Sequence, residues 1–397
     1  MNFTLDEELE AIRDLARKIF ADRATTERVR EVENSPARVD ESLWAELGKA
    51  GLLGIAAPEE AGGAGLGLGA LCVLLEEQGR VVAPVPLWAA SVGALAIAAH
   101  GTAEQRESLL PGFVEGSSRL TVALEEFGPY APGEPQCVAR CVTQRVAQGA
   151  ATKDRGRPGG QGSGHDRGQD GDGWRLTGVK AVVPSPFGAG HVLVAARAET
   201  GTGLFLVAAD ADGVTWERAE TTSHDLSANL ILSDAPAQAV GEPGTGVLDW
   251  AVERASVALA AVQLGVAQGA LRLAAGYLSE RKQFGRPLAT FQAVQHQLAD
   301  CYIDIEAMGV ALWQAVTTIE EGEPAAAAAL VAKWWAGEAG LNVVHRVQHV
   351  HGGIGVDVDY PVHRYFLWGK QIAGTLGGAG ADLARLGTVL AAGPVVS

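Results

Sequence analysis

Cysteine, methionine and aromatic side chains are scarce in this chain, basic residues are outnumbered, and its apolar runs are short. There are four cysteines, Cys72, Cys137, Cys141 and Cys301. Only Cys137 and Cys141 stand close together, and no second pair completes a zinc site, so reduced thiols in a cytoplasmic protein are expected. Lys and Arg number 31 against 47 Asp and Glu, a formal net charge of −16. That argues against a uniformly basic nucleic-acid surface. A polyanion can still be held by a few local Arg and Lys residues and by helix N-termini. The opening MNFTLDEELEAIRDLARKIF is acidic and amphipathic, without the continuous apolar stretch of a secretory signal. The longest apolar runs are broken by Gly, His or charge, so no membrane span is expected.

What is abundant is alanine and glycine, the latter 51 of 397 residues. Such a composition favours close-packed helices, although a GC-rich genome imposes the same bias. The length suits two or three structural domains with a large core. Leu5, Leu9, Ile12, Leu15 and Phe20 recur at helical spacing, and Gly51 and Pro58 punctuate two further helices. The cluster Gly62, Gly63, Gly65 follows no strand and lacks dinucleotide-fold spacing, so it reads as a tight turn. From 118 to 240 the period shortens: LTVALEE, WRLTGVKAVV, HVLVAAR, GLFLVAA, GVTWERA and ANLILSD read as strands. Within them, 145–173 is polar and glycine-rich and reads as a flexible insertion. His165 with Asp166 and Asp170 there reads as solvated loop rather than metal site.

From 246 onward four helical runs suggest an antiparallel bundle. The expected class is therefore α+β: an N-terminal α-helical domain (1–117), a β-barrel-like middle domain (118–240) and a C-terminal four-helix bundle (241–397). With no alternating β-α units, a doubly wound sheet and an NAD-dependent dehydrogenase are disfavoured.

Three stretches together resemble one family: LWAELGKAGLLGIAAPEEAGGAGLG, SERKQFGRPLATFQAVQHQLAD and VHGGIGVDVDYPVHR. The chain is similar to the acyl-CoA dehydrogenases over nearly its whole length. The resemblance implies an FAD-dependent reaction in which a Glu removes the α proton of an acyl-CoA thioester and the β hydride passes to the flavin. It also implies an acyl-CoA substrate, and an electron-transfer flavoprotein or similar acceptor. In the family the flavin lies at a subunit interface, the ring covered by one subunit and the diphosphate reached by its neighbour.

The two halves fare differently here. The neighbour-facing set matches: Arg281 and Phe284 in ERKQFG, Gln292 in FQAVQ, and Gln348 or His349 with Gly352 and Gly353 in VQHVHGGIG. A guanidinium suits a pyrophosphate, and paired glycines let backbone approach a cofactor. Singly, Arg281 reads as a helix cap and the glycines as a turn; as a set they point to FAD. The ring-facing set departs. LEEFGPYAPG puts Glu125 or Glu126 where the family has a flavin-contacting Thr, and GVKAVVPSP puts Val182 and Pro184 in place of a Trp and a Thr.

The base is also absent. The family's catalytic Glu falls on Leu376, and the only acid beyond Arg364 is Asp382, about 600° around and about 9 Å along a continuous helix. Members with the base on the first bundle helix would place it at Ala255. The nearest carboxylate, Glu253, is about 200° away and serves only if that helix is re-phased. No catalytic residue is thus assigned beyond Glu253 as a weak candidate, and no metal site is expected. His345, His349 and His351 spread around a helix, and Trp313, Trp334 and Trp335 read as packing.

The economical reading is a heteromer in which a homologous partner supplies the base. The chain resembles the base-lacking subunit of actinobacterial α2β2 acyl-CoA dehydrogenases, some of which act on steroid side chains. The alternatives are a self-sufficient enzyme using Glu253, a flavin-free scaffold, and a flavin oxidase or monooxygenase on the same fold.

Overall fold

A computed structural model describes residues 5–142 and 173–393. The glycine-rich segment before Gly173, with His165, Asp166 and Asp170, lies outside the described residues. Six helices come first: α1 Glu7–Arg23, α2 Thr26–Glu33, α3 Glu41–Lys49, α4 Gly67–Arg80, α5 Leu87–His100 and α6 Ala103–Val114. Asp6 caps α1 by accepting from the Leu9 N–H, and α1 buries Ile12, Ala16, Ile19 and Phe20. The periodicity is thus off by one column, for Leu15 is 43% exposed and Ala16 takes the core position. Between α3 and α4 the glycine cluster forms a turn, with Gly62 and Gly65 at positive φ.

The middle of the chain forms β1 Leu120–Ala123, β2 Val138–Val142, β3 Gly173–Pro184, β4 His191–Ala198, β5 Gly201–Ala208, β6 Val214–Glu220 and β7 Leu226–Val240. β4 pairs with both β2 and β5, β2 with β3, β3 with β7, and β7 with β5, so five strands close on themselves. Inward residues such as Leu176, Val194, Phe205 and Leu230 fill the barrel. Lys180 is also buried there; its Nζ donates to Glu126 Oε1 at 2.8 Å and to the Ala195 carbonyl at 3.0 Å. β3 shifts register between Lys180 and Val183, and Val182 there has φ +48°.

The remainder is helical: α7 Val247–Glu280, a short hairpin β8 Lys282–Gln283 and β9 Arg286–Pro287, α8 Gln292–Glu320, α9 Ala326–Trp335, α10 Leu341–His351, α11 Val362–Gly374 and α12 Ala379–Ala392. A π turn at Ala336–Gly340 joins α9 to α10. The expected fourth bundle helix is two helices, α11 and α12. They are separated by a break in which Leu376 has φ +61° and Gly377 φ +98°.

By length and composition alone, α7 could cross a membrane. Its most apolar window, however, is 78% buried inside the protein. It crosses α4 with almost no side-chain spacer. A Cβ on Gly265 would lie 1.9 Å from the Glu76 carbonyl oxygen, and one on Gly79 would lie 2.2 Å from that of Val262. The glycine abundance is thus spent partly on backbone-to-backbone packing at the centre of the molecule.

Candidate active site and cofactor surface

Where the barrel meets α5, α7 and α11, a cavity opens. Its apolar wall includes Trp88, Val122, Leu259, Val262 and Trp368, and its polar lining includes Gln78, Glu125, Asp225 and Gln371. Val182, Pro184 and Leu376 also line it. The positions that the family resemblance assigns to the flavin ring and to the base therefore converge on one cavity.

None of them carries the expected chemistry. Leu376 is 1% exposed, and its N–H donates to Glu125 Oε1 at 2.8 Å. The Gly377 N–H also reaches the Glu125 carboxylate. Burial pushes the Glu125 carboxyl above its usual range against these two donors and the Lys333 charge. Its neighbour Glu126 turns the other way, accepting from Lys180, from the Gln136 N–H at 2.7 Å and from the Cys137 N–H at 3.0 Å. Burial alone would raise Glu126, but these partners hold it below the usual range.

The donors along β3 are also committed. The Ala181 N–H donates to the Glu125 carbonyl at 2.9 Å, the Val182 N–H donates to Asn229 Oδ1 at 3.2 Å, and Pro184 has none. Behind the break, Lys333 Nζ lies 3.6 Å from Asp382 Oδ2, an ion-pair distance too long for a hydrogen bond. It lies 3.4 Å from the Gly377 carbonyl oxygen. The continuous-helix projection for Asp382 fails because the helix breaks first: Asp382 is buried against Lys333 behind the break.

Glu253 does not line the cavity. α7 runs as one regular helix from Val247 to Glu280, so no re-phasing brings Glu253 to the Ala255 position. Glu253 lies 3.9 Å from the Arg254 guanidinium, and burial raises its pKa.

The second group of residues is presented outward at another end of the bundle. The Arg281 backbone closes α7 by donating to the Tyr277 carbonyl at 2.9 Å, while its side chain makes no ion pair among the described residues. Phe284 at the β8–β9 tip is 91% exposed. Arg286 stacks on Phe291, guanidinium carbon to ring centroid 4.1 Å, and exposed Gln292 opens α8.

At the end of α10, His349 is exposed, whereas Gln348 turns inward and donates to the Gly355 carbonyl. Gly352 and Gly353 are exposed, with nothing within 4 Å of a Cβ placed on either. Sequence reasoning missed the residues that tie the two motifs together. Tyr277, one turn before Arg281, stacks on His351, next to Gly352, with centroids 4.9 Å apart. His351 Nδ1 bonds the Val347 carbonyl at 2.7 Å, its Nε2 is buried without a partner among the described residues, and burial holds its pKa down. The only available signals were its place before the glycine pair and the one-turn spacing of Tyr277 from Arg281.

The N-terminal domain of acyl-CoA dehydrogenase matches residues 6–117 and its C-terminal domain residues 242–380. Acyl-CoA dehydrogenase FadE27 of Mycobacterium tuberculosis is 35% identical, covering 99% of this chain and 100% of that protein. The chain belongs to the acyl-CoA dehydrogenase family. Among solved structures, a chain of a Tcur3481-Tcur3483 steroid ACAD variant is 63% identical with TM-score 0.88, covering 98% of this chain and 99% of that one. A chain of the ChsE4-ChsE5 complex from Mycobacterium tuberculosis is 35% identical with TM-score 0.87, and the match covers both chains fully.

Members of this family bind FAD, and the two halves of this chain answer that requirement differently. The outward surface fits: a guanidinium without an ion-pair partner among the described residues, an exposed aromatic ring and bare glycine backbone can meet a diphosphate and adenine. The cavity does not fit. Its ring-facing N–H groups are used or missing, and a carboxylate stands in it.

Proposed function

We propose that the chain is the base-lacking subunit of a heteromeric, FAD-dependent acyl-CoA dehydrogenase, completed by a homologous subunit that carries the catalytic Glu. The observation that carries this reading is Leu376, a buried leucine fastened to Glu125 at the family's base position. The outward residues Arg281, Phe284, Gly352 and Gly353 meanwhile stay uncovered. Similarity to chains of the paired Tcur3481-Tcur3483 and ChsE4-ChsE5 proteins supports the same reading.

In the complex, bound FAD supplies the hydride acceptor that no side chain provides. This chain's part is to hold it. Arg281 donates paired hydrogen bonds to the diphosphate, Gly352 and Gly353 allow backbone approach, and Phe284 covers an apolar face. Gln292 and His349 flank that surface; Gln348, turned to Gly355, acts by shaping the turn. The CoA thioester of an apolar acid, in line with the relative described as a steroid ACAD, is the substrate class, and an electron-transfer flavoprotein or similar protein is the acceptor. The self-sufficient alternative lacks geometric support, since Glu253 lies outside the cavity lining.

The test is to purify the chain alone and together with a homologous subunit that retains the Glu. Flavin absorbance and acyl-CoA oxidation should appear only in the mixture. Turnover by the isolated chain, lost in Glu253→Gln, would refute the proposal.

A further inference from the structure

We propose that Glu125 is an internal plug that closes this chain's own flavin-ring site, so that any flavin the complex holds lies at the site its partner completes. The inference rests on the heteromer reading above and gives it a residue-level cause. Glu125 lies just beyond β1, and its carboxylate, in the cavity lining, accepts from the Leu376 N–H at 2.8 Å. It thereby ties the barrel to the break between α11 and α12. The break needs these partners. α11 ends at Gly374, where the Thr375 N–H still donates to the Gln371 and Ile372 carbonyls, and α12 starts at Ala379, so the Leu376 N–H lies beyond the reach of either helix's ladder. Glu125 accepts that N–H, and Lys333 approaches the Gly377 carbonyl from behind.

A flavin ring in the same cavity would meet the Glu125 carboxylate, already committed to the Leu376 N–H. It would also find the Val182 N–H taken by Asn229 and Pro184 without a donor. The resemblance puts Glu125 or Glu126 where the family has a Thr, and of the two it is Glu125 that lines the cavity.

The experiment uses the complex with its partner. Amide hydrogen exchange at Leu376 should be about tenfold faster in Glu125→Thr. It should stay near the unaltered rate in Glu125→Gln, which keeps an acceptor oxygen and controls for folding. Lumiflavin, which carries the ring without the diphosphate, should not bind saturably to the unaltered complex with FAD in place. It should bind, quenching Trp88 and Trp368 fluorescence, once Glu125→Thr, Val182→Trp and Pro184→Thr are combined.

Unchanged exchange in Glu125→Thr would overturn the plug, as would lumiflavin uptake by the unaltered complex or no uptake by the triple variant. A complex that binds no FAD at all would instead defeat the heteromer reading, while the exchange comparison would still decide the role of Glu125.

Discussion

Single side chains here show how one functional group takes opposite roles from its surroundings. Asp40 caps α3 by accepting from the Ser42 and Leu43 N–H groups and pairs with Arg28 at 2.7 Å. Burial would raise its pKa, but Arg28, Ser42 and the Leu43 N–H bring it down to about 2. Its folded value lies below its unfolded value, so it stabilises the fold above about pH 4 and that contribution is lost as pH falls toward 2. Asp225, lining the cavity, is pushed up to about 6 by burial, against a hydrogen bond from Ser223. Here the folded state holds its proton longer, so stability is full below about pH 4 and declines as pH rises through 6. Urea denaturation across this range should show Asp40→Asn flattening the acid limb. Asp225→Asn should remove the decline between about pH 4 and 6. The Glu125–Glu126 pair makes the same point, since adjacent acids face a cavity and a buried lysine.

Between elements, the α4–α7 crossing is the tightest joint. Gly265→Ala would drive a methyl group into the Glu76 carbonyl, so the helices must separate, at a cost of about 3 kcal/mol in chemical denaturation. Gly276 lies on the same helix with nothing within 4 Å of a Cβ placed there, and Gly276→Ala should stabilise by about 0.5–1 kcal/mol. Equal effects at the two sites would contradict the packing account. This joint also marks what sequence could convey. Helical periodicity exposed the α, β, α order, because each element's burial pattern is local. It mistook the last two helices for one because the groups that satisfy their break come from Glu125, 251 residues away. It put Leu15 in the core because Ala16 gives little apolar signal, although the helix face is set around it. The motifs singled out Arg281, Phe284, Gly352 and Gly353, and the fold leaves all four exposed. The stacking of Tyr277 on His351 was not, since two aromatic rings distant in sequence announce nothing until the chain folds.

At the level of the whole molecule, one end of the bundle presents Arg281, Phe284 and the glycine pair outward, while Glu125 stands in the lining of the cavity at the barrel junction, the division expected of half a shared site. Arg281→Ala should lower flavin retained by the complex at least about tenfold in affinity, by absorbance after gel filtration, with Arg281→Lys restoring only part of it. Neither change should shift the denaturation midpoint appreciably, because the side chain is exposed.

The fastening of Leu376 to Glu125 bears on descent as well as on chemistry. Leu376→Glu alone would set a second carboxyl beside the first in a largely dry cavity, and one of the two would keep its proton at neutral pH. Losing Glu125 first would strip the Leu376 N–H of its acceptor before any base existed to benefit. Each single step back toward an independent catalyst is therefore disfavoured. On the proposed heteromer, a lineage that reaches this arrangement is held to its companion subunit by contingency, whether or not selection still asks for two chains.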